Sequence, residues 1–205
     1  MTARRRVGVT QRRDFVPERD EWRDALDVRL ARMIWEAGFV PIPLTTGIED
    51  LGTYLDELRL DAFVLSGGGD VGSPPERALL EEALLARSER DAVPVFGICR
   101  GMQVMVTACG GRLSSVEGHV ATRHLISGFM SQEREVNSFH ALGIPREDLP
   151  STLSCLALAP DGTVEAIQHD RLPWTAIMWH PEREAKTVAA DLAIIAYALL
   201  REAGT

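Results

Sequence analysis

Apolar runs and amphipathic stretches alternate through the first half of the chain. Arg6-Val-Gly-Val-Thr10, Phe39 to Leu44, Ala62 to Leu65 and Val93 to Ile98 read as short strands. Between them, Trp22 to Ala37 places Leu26, Leu30, Met33, Ile34 and Ala37 on one helical face, with Gly38 as the stop. Leu51 to Arg59, Pro75 to Arg90 and Arg100 to Ala108 read as further helices, the last ended by Gly110-Gly111. Gln11 to Asp20 reads as a polar loop carrying Arg12 and Arg13. This βαβαβαβα order predicts a parallel sheet covered by helices on both faces. The second half changes character. His124 to Ile126, Glu135 to Phe139, Leu153 to Leu158, Val164 to Gln168 and Ala176 to Trp179 read as short strands, with a turn at Asp161-Gly162. Ala185 to Arg201 reads as a closing helix. No repeat, linker or low-complexity tract interrupts the pattern, which predicts one domain over residues 1–205.

The junction at Val93-Pro-Val-Phe-Gly-Ile-Cys-Arg-Gly-Met-Gln103 carries the most chemistry. A strand ends in Gly-x-Cys-x-Gly and a helix starts at once, the pattern of a nucleophile elbow with cysteine in the reactive place. Gly97 and Gly101 allow close approach of neighbouring backbone. Cys99 falls at the helix N-terminus, where the partial positive charge is expected to favour thiolate. A lone cysteine is more often a small buried hydrophobe, and Cys109 and Cys155 are read that way.

A thiol nucleophile requires a base, a group that orients the base, and donors for an oxyanion. His180-Pro-Glu182 follows an apolar strand, so an imidazole at a strand end has a carboxylate two residues away. Ser66-Gly-Gly-Gly-Asp70 follows another strand, either as a tight turn or as a nest of backbone N–H groups for negative charge. The N–H of Arg100, next after the cysteine, is the second donor expected of an elbow.

Composition narrows the class. Hydrophobic residues make up 45% and charged residues 25% of the 205, which is ordinary for a globular chain. A net charge of −8 argues against nucleic acid as the main partner. The three cysteines fit neither a disulfide framework nor a zinc pattern, and His119, His124, His140 and His169 show no metal-ligand spacing, so no metal and no cofactor is expected. No run reaches the ~20 apolar residues of a membrane span and no leader is read, so a cytoplasmic location suits the free thiols. Arg12 and Arg13 follow the first strand, where loops line the crevice of an open parallel sheet. Arg112, Arg123, His119, His124 and Arg134 follow the elbow helix. Convergence of these groups on the site would favour an anionic leaving group; each alone is more readily a solvated or paired charge.

Three motifs together, Gly97-Ile-Cys-Arg-Gly-Met-Gln103, Trp179-His-Pro-Glu182 and Ser66-Gly-Gly-Gly-Asp70, resemble the class I glutamine amidotransferase superfamily in order and across the full chain. The resemblance implies a flavodoxin-like α/β fold, with a mostly parallel sheet, helices on both faces and additional antiparallel strands in the C-terminal half. It implies Cys99 as nucleophile, His180 as base and Glu182 as its orienter. Oxyanion donors then map to Gly68, Gly69 and Arg100, and Gln103 to the glutamyl-contacting position. Arg100 and Val136-Asn-Ser-Phe-His140 are similar to the γ-glutamyl hydrolase branch, which adds Asn137, Ser138, Phe139 and His140 as substrate-binding candidates; Ala141 stands where that branch often has a second histidine. Thr10-Gln-Arg, Arg23-Asp-Ala-Leu-Asp27, Gly118-His119, Arg123-His124 and Trp179-His-Pro-Glu-Arg-Glu184 are similar to a smaller group whose members include γ-glutamyl-CDP-amidate hydrolases, tied to phosphoramidate decoration of bacterial surface polysaccharide. The expected substrate is thus a small γ-glutamyl conjugate, nucleotide-linked in the narrower resemblance, with Arg12, Arg13 and Arg123 as candidate contacts. A glutaminase subunit feeding ammonia to a separate synthetase, and a non-catalytic relative, stay open as alternatives, as does a homodimer.

Overall fold

In the computed structural model, which describes residues 3–128 and 133–204, a seven-stranded sheet forms the centre. Its strands are β1 (Arg6–Val9), β4 (Val40–Pro43), β5 (Ala62–Leu65), β6 (Val95–Ile98), β11 (Leu153–Leu158), β12 (Val164–His169) and β13 (Trp174–Ile177). The order is β11-β12-β13-β6-β5-β1-β4. From β13 to β4 all neighbours run parallel, while β12 and β11 add antiparallel pairs at one side. The residues of β5, β6 and β13 are all buried, as strands covered on both faces must be. Pro41 and Pro43 fall on β4, an edge strand, where a missing N–H costs no ladder bond.

The helices are α1 (Val28–Glu36), α2 (Leu51–Leu58), α3 (Pro75–Asp91), α4 (Arg100–Ala108) and α5 (Ala189–Leu200). Both α4 and α5 cover β5, β6 and β13, so they lie on opposite faces; α1 packs with α5, and α2 with α3. Of the antiparallel pairs outside the main sheet, one joins β8 (Val120–Ile126) with β9 (Arg134–Phe139) and another β7 (Ser114–Ser115) with β10 (Leu142–Gly143).

One stretch differs from its sequence reading. The expected loop from Gln11 and the expected helix from Trp22 are instead a hairpin, β2 (Arg12–Val16) with β3 (Glu21–Ala25). Phe15 pairs with Trp22, ring centroids 5.1 Å apart, and the turn closes through Asp20 at φ 49°. Neither strand has a fully buried residue, so no apolar alternation exists to announce it. The helix starts only after Asp27, whose side chain accepts from Arg29 N–H at 2.9 Å. The closing helix also begins later than expected, at Ala189.

Register sets the working end of the sheet. Leu65 pairs with Gly97, and Ile98 with Ile177. The carboxyl ends of β5, β6 and β13 are therefore level, and the chain leaving each one enters the same crevice.

Candidate active site

Cys99 sits between β6 and α4 at φ 50°, ψ −102°, a backbone conformation that an L-residue holds only under constraint. The constraint is close packing. A Cβ at Gly101 would lie 2.1 Å from the Leu65 carbonyl oxygen, and one at Gly97 would lie 2.8 Å from the Gly101 backbone. Only glycine at both positions lets helix, elbow and strand meet. Cys99 N–H donates to the Ile177 carbonyl at 2.8 Å, which ties the elbow to β13.

The helix terminus does not yield a thiolate. Burial pushes the Cys99 thiol up to about 12, although the Arg100 N–H aimed at the sulfur works the other way. Desolvation of an anion in a nearly closed site outweighs the partial charge of one helix end. The direction of this shift favours the neutral thiol at rest.

His180 leaves β13 through Met178 and Trp179 and is 2% exposed. Its Nδ1–H donates to Glu182 Oε1 at 2.7 Å, which fixes the tautomer and turns Nε2 to the other side of the ring. Asn137 on β9 clamps the His180 backbone from both sides. His180 N–H donates to its Oδ1 at 2.9 Å, and its Nδ2 donates to the His180 carbonyl at 2.7 Å. Asn137 Nδ2 also donates to Glu184 at 2.8 Å. Phe139 packs edge-on to the imidazole, with Arg183 stacked over the Phe139 ring.

The Gly-rich turn meets His180 directly: a Cβ at Gly67 would lie 2.5 Å from His180 Cε1. Gly68 and Gly69 have φ of +86° and +76°, which favours glycine at both. Arg77, fully buried on α3, donates to the carbonyls of Ser66 at 2.7 Å, Gly67 at 3.3 Å and Gly68 at 2.6 Å. Glu81, one turn on, accepts from Arg77 at 2.9 Å and also from Arg100, whose Nε donates to the Asp70 carbonyl at 2.9 Å. With its carbonyls taken, the turn has N–H groups left for a ligand. Sequence reading missed this support. Its signal was present, because Arg77 and Glu81 share the buried helix face with Leu80, Leu84 and Leu85.

These parts enclose a cavity of about 240 Å³, lined by Gly68, Gly69, Cys99, Arg100, Gln103, Phe139, His140, His180 and Arg183 among others. Cys99 and His180, remote in sequence, share its wall. Glu182 stands behind His180 beside a second, smaller cleft that also borders Arg12, Gly68 and Arg183. Gln103 reaches the wall with its Nε2 donating to the Leu142 carbonyl at 2.8 Å. Asn137 and Ser138 stay behind the wall, Ser138 donating to the His119 carbonyl at 2.7 Å.

The arginines divide. Arg12 reaches the second cleft while its guanidinium holds Asp14 at 2.7 Å. Arg13 pairs with Glu76 and stacks on Trp22, and Arg123 pairs with Glu135 and Glu184. Arg134 pairs with Asp191. Arg112 is exposed. The expected convergence after the elbow helix thus does not occur at the cavity. Arg183, one residue beyond the Glu182 of the histidine motif, is the guanidinium that borders both clefts.

The family description "Glutamine amidotransferase class-I" matches residues 30–194, and the chain belongs to that family. It is 32% identical over 188 residues to a γ-glutamyl-CDP-amidate hydrolase of Campylobacter jejuni, covering 87% of this chain and 90% of that one. It is 35% identical over 136 residues to an anthranilate synthase of Azospirillum brasilense, but spans only 18% of that protein. A solved glutamine amidotransferase of Thermotoga maritima superposes with a TM-score of 0.66 at 16% identity, over 96% of this chain and 83% of that one. The flavodoxin-like fold is thereby established. No helix among the described residues is long and apolar enough to cross a membrane.

Proposed function

We propose that this chain is a single catalytic domain that hydrolyses γ-glutamyl amides, with Cys99 as nucleophile, His180 as base and Glu182 as its orienter. The observation that carries the reading is the shared cavity: an elbow cysteine and a carboxylate-held imidazole face one space floored by a Gly-rich turn. Cys99 Sγ attacks the γ-carbonyl carbon as His180 Nε2 takes the thiol proton. A neutral resting thiol makes this transfer part of the attack, not a step before it. The oxyanion accepts hydrogen bonds from backbone N–H groups at Gly68 or Gly69 and at Arg100. Collapse breaks the C–N bond, and His180 returns the proton to the leaving nitrogen. Water, deprotonated by His180, then releases glutamate from the thioester and restores the thiol.

A cavity of about 240 Å³ suits the glutamyl part, with Gln103 on its wall, and a larger leaving group must lie at the mouth. There Arg183 and Arg12 offer forked cations suited to phosphate oxygens. With the similarity to the Campylobacter hydrolase, this favours an amine carried on a nucleoside diphosphate; a role in phosphoramidate decoration of surface polysaccharide rests on the motif resemblance alone. The similarity to anthranilate synthase supports a second reading, a glutaminase that passes ammonia to a separate synthetase.

Glutamate release by the purified chain tests both, with Cys99→Ala as blank and glutamine, γ-glutamyl-γ-aminobutyrate and γ-glutamyl-CDP-amidate as substrates. The hydrolase reading expects turnover without a partner, with KM for the nucleotide conjugate raised about tenfold by Arg183→Gln. Activity retained by Cys99→Ala overturns the mechanism. Turnover only with glutamine and a synthetase partner selects the second reading.

A further inference from the structure

Three histidines that show no metal spacing in sequence meet around one carboxylate. His119 precedes β8, His124 lies on it, His140 follows β9, and Glu165 comes from β12 of the central sheet. Glu165 is fully buried, and its Oε1 lies 3.5 Å from His119 Nδ1, 3.5 Å from His124 Nε2 and 3.4 Å from His140 Nε2. His119 Nδ1 and His140 Nε2 are 3.3 Å apart.

We propose that these four side chains form a structural zinc site. The separations from Glu165 and between His119 and His140 support it, and His119, His124 and Glu165 bring their ligand atoms within 4.8 Å of one another. Zinc–nitrogen bonds of about 2.0–2.1 Å put tetrahedral ligand atoms about 3.3–3.4 Å apart, whereas charge-assisted hydrogen bonds close to about 2.7–2.9 Å. Polar satisfaction supports it independently. His124 Nε2 and both Glu165 oxygens are buried with no hydrogen-bond partner. A proton on His119 would serve one neighbour and leave the others unmet. The outer contacts are those of metal ligands. His119 Nε2–H donates to Asp161 at 2.9 Å, and His140 Nδ1–H donates to the Leu142 carbonyl at 3.1 Å, each turning the other ring nitrogen inward. Asp161 is itself held by Thr163 N–H at 3.0 Å. Mixed nitrogen and oxygen donors select zinc over magnesium or calcium, and four protein ligands close the site to substrate.

The ion would fasten the β8–β9 hairpin to β12. That hairpin carries Asn137 and Phe139, which hold and pack His180. His140 also lines the cavity, so the site adjoins the reacting atoms through that one ligand and stiffens the wall behind them.

The test is metal content and its consequence for the full chain. Protein purified from zinc-supplemented cells is expected to hold about one zinc per chain by plasma mass spectrometry. Removal by chelation should lower Tm by roughly 8–16 °C, and ZnCl2 but not MgCl2 should restore it. Cobalt(II) added to the apoprotein should show tetrahedral visible bands. Glu165→Gln should lose the zinc, and Cys99→Ala should keep it. Wild-type protein that retains no zinc and whose Tm ZnCl2 does not move overturns the proposal, whatever the variants do. So does zinc lost in Cys99→Ala and kept in Glu165→Gln, which would put the ion at the thiol.

Discussion

Glu81 holds together the underside of the Gly-rich turn, and Glu81→Gln isolates that role. Its carboxylate lies between Arg77 and Arg100, and all three side chains are at most 1% exposed. Burial pulls Arg77 down to about 10 even with Glu81 beside it. Glutamine keeps the volume and one acceptor, but leaves two guanidiniums facing each other without a counter-charge. At an effective dielectric of about 20, each unit-charge pair at about 4 Å is worth about 4 kcal/mol. The retained acceptor and local relaxation recover part of the loss. The net cost then falls in the range for breaking a buried ion pair, about 3–5 kcal/mol. For a domain of this size that lowers Tm by roughly 6–20 °C. Arg77 also ties three carbonyls of the turn, so its displacement moves the N–H groups beside Cys99. A shift near 1 Å there is expected to lower kcat for glutamate release by about 10- to 100-fold. Calorimetry at pH 7 and steady-state kinetics on the same sample check both numbers. A Tm within about 2 °C of wild type, with kcat unchanged, would refute the reasoning.

Alkylation of Cys99 by iodoacetamide in the free enzyme should rise about tenfold per pH unit from pH 7 to 10, because burial pushes the thiol up to about 12; a plateau below pH 8 would mean a stabilised thiolate. Gly67→Ala keeps an allowed backbone but drives a methyl into the His180 ring. It should cost about 100-fold in kcat/KM while Tm stays within a few degrees (about 3 °C), and unchanged kinetics would show that the turn does not set the imidazole. Asn137→Asp removes the donor to the His180 carbonyl and places a carboxylate against Glu184. A kcat about tenfold lower is expected, and wild-type kcat would show that the clamp is dispensable.

The sequence by itself determined the βαβ frame, because buried parallel strands are unbroken apolar runs and need no partner to be recognised. It also determined the elbow, since a strand, a cysteine between glycines and a helix onset are all local. The His180-Glu182 contact was legible for the same reason, two residues apart at a strand end. What the tertiary structure alone decided is of longer range. No residue of the β2–β3 hairpin is fully buried, so its pairing leaves no hydrophobic period. The thiol's protonation depends on burial by elements far away in sequence, and burial outweighed the helix end that could be read locally. Arg123 and Arg134 are drawn to carboxylates 61 and 57 residues away, and Arg183 takes the place at the cavity mouth. The histidine cluster is the clearest case. His119, His124 and His140 have no shared spacing, and Glu165 lies on another strand. Only the folding of β8 and β9 against β12 brings their ring nitrogens to one oxygen, because ligand geometry is set in space and not along the chain.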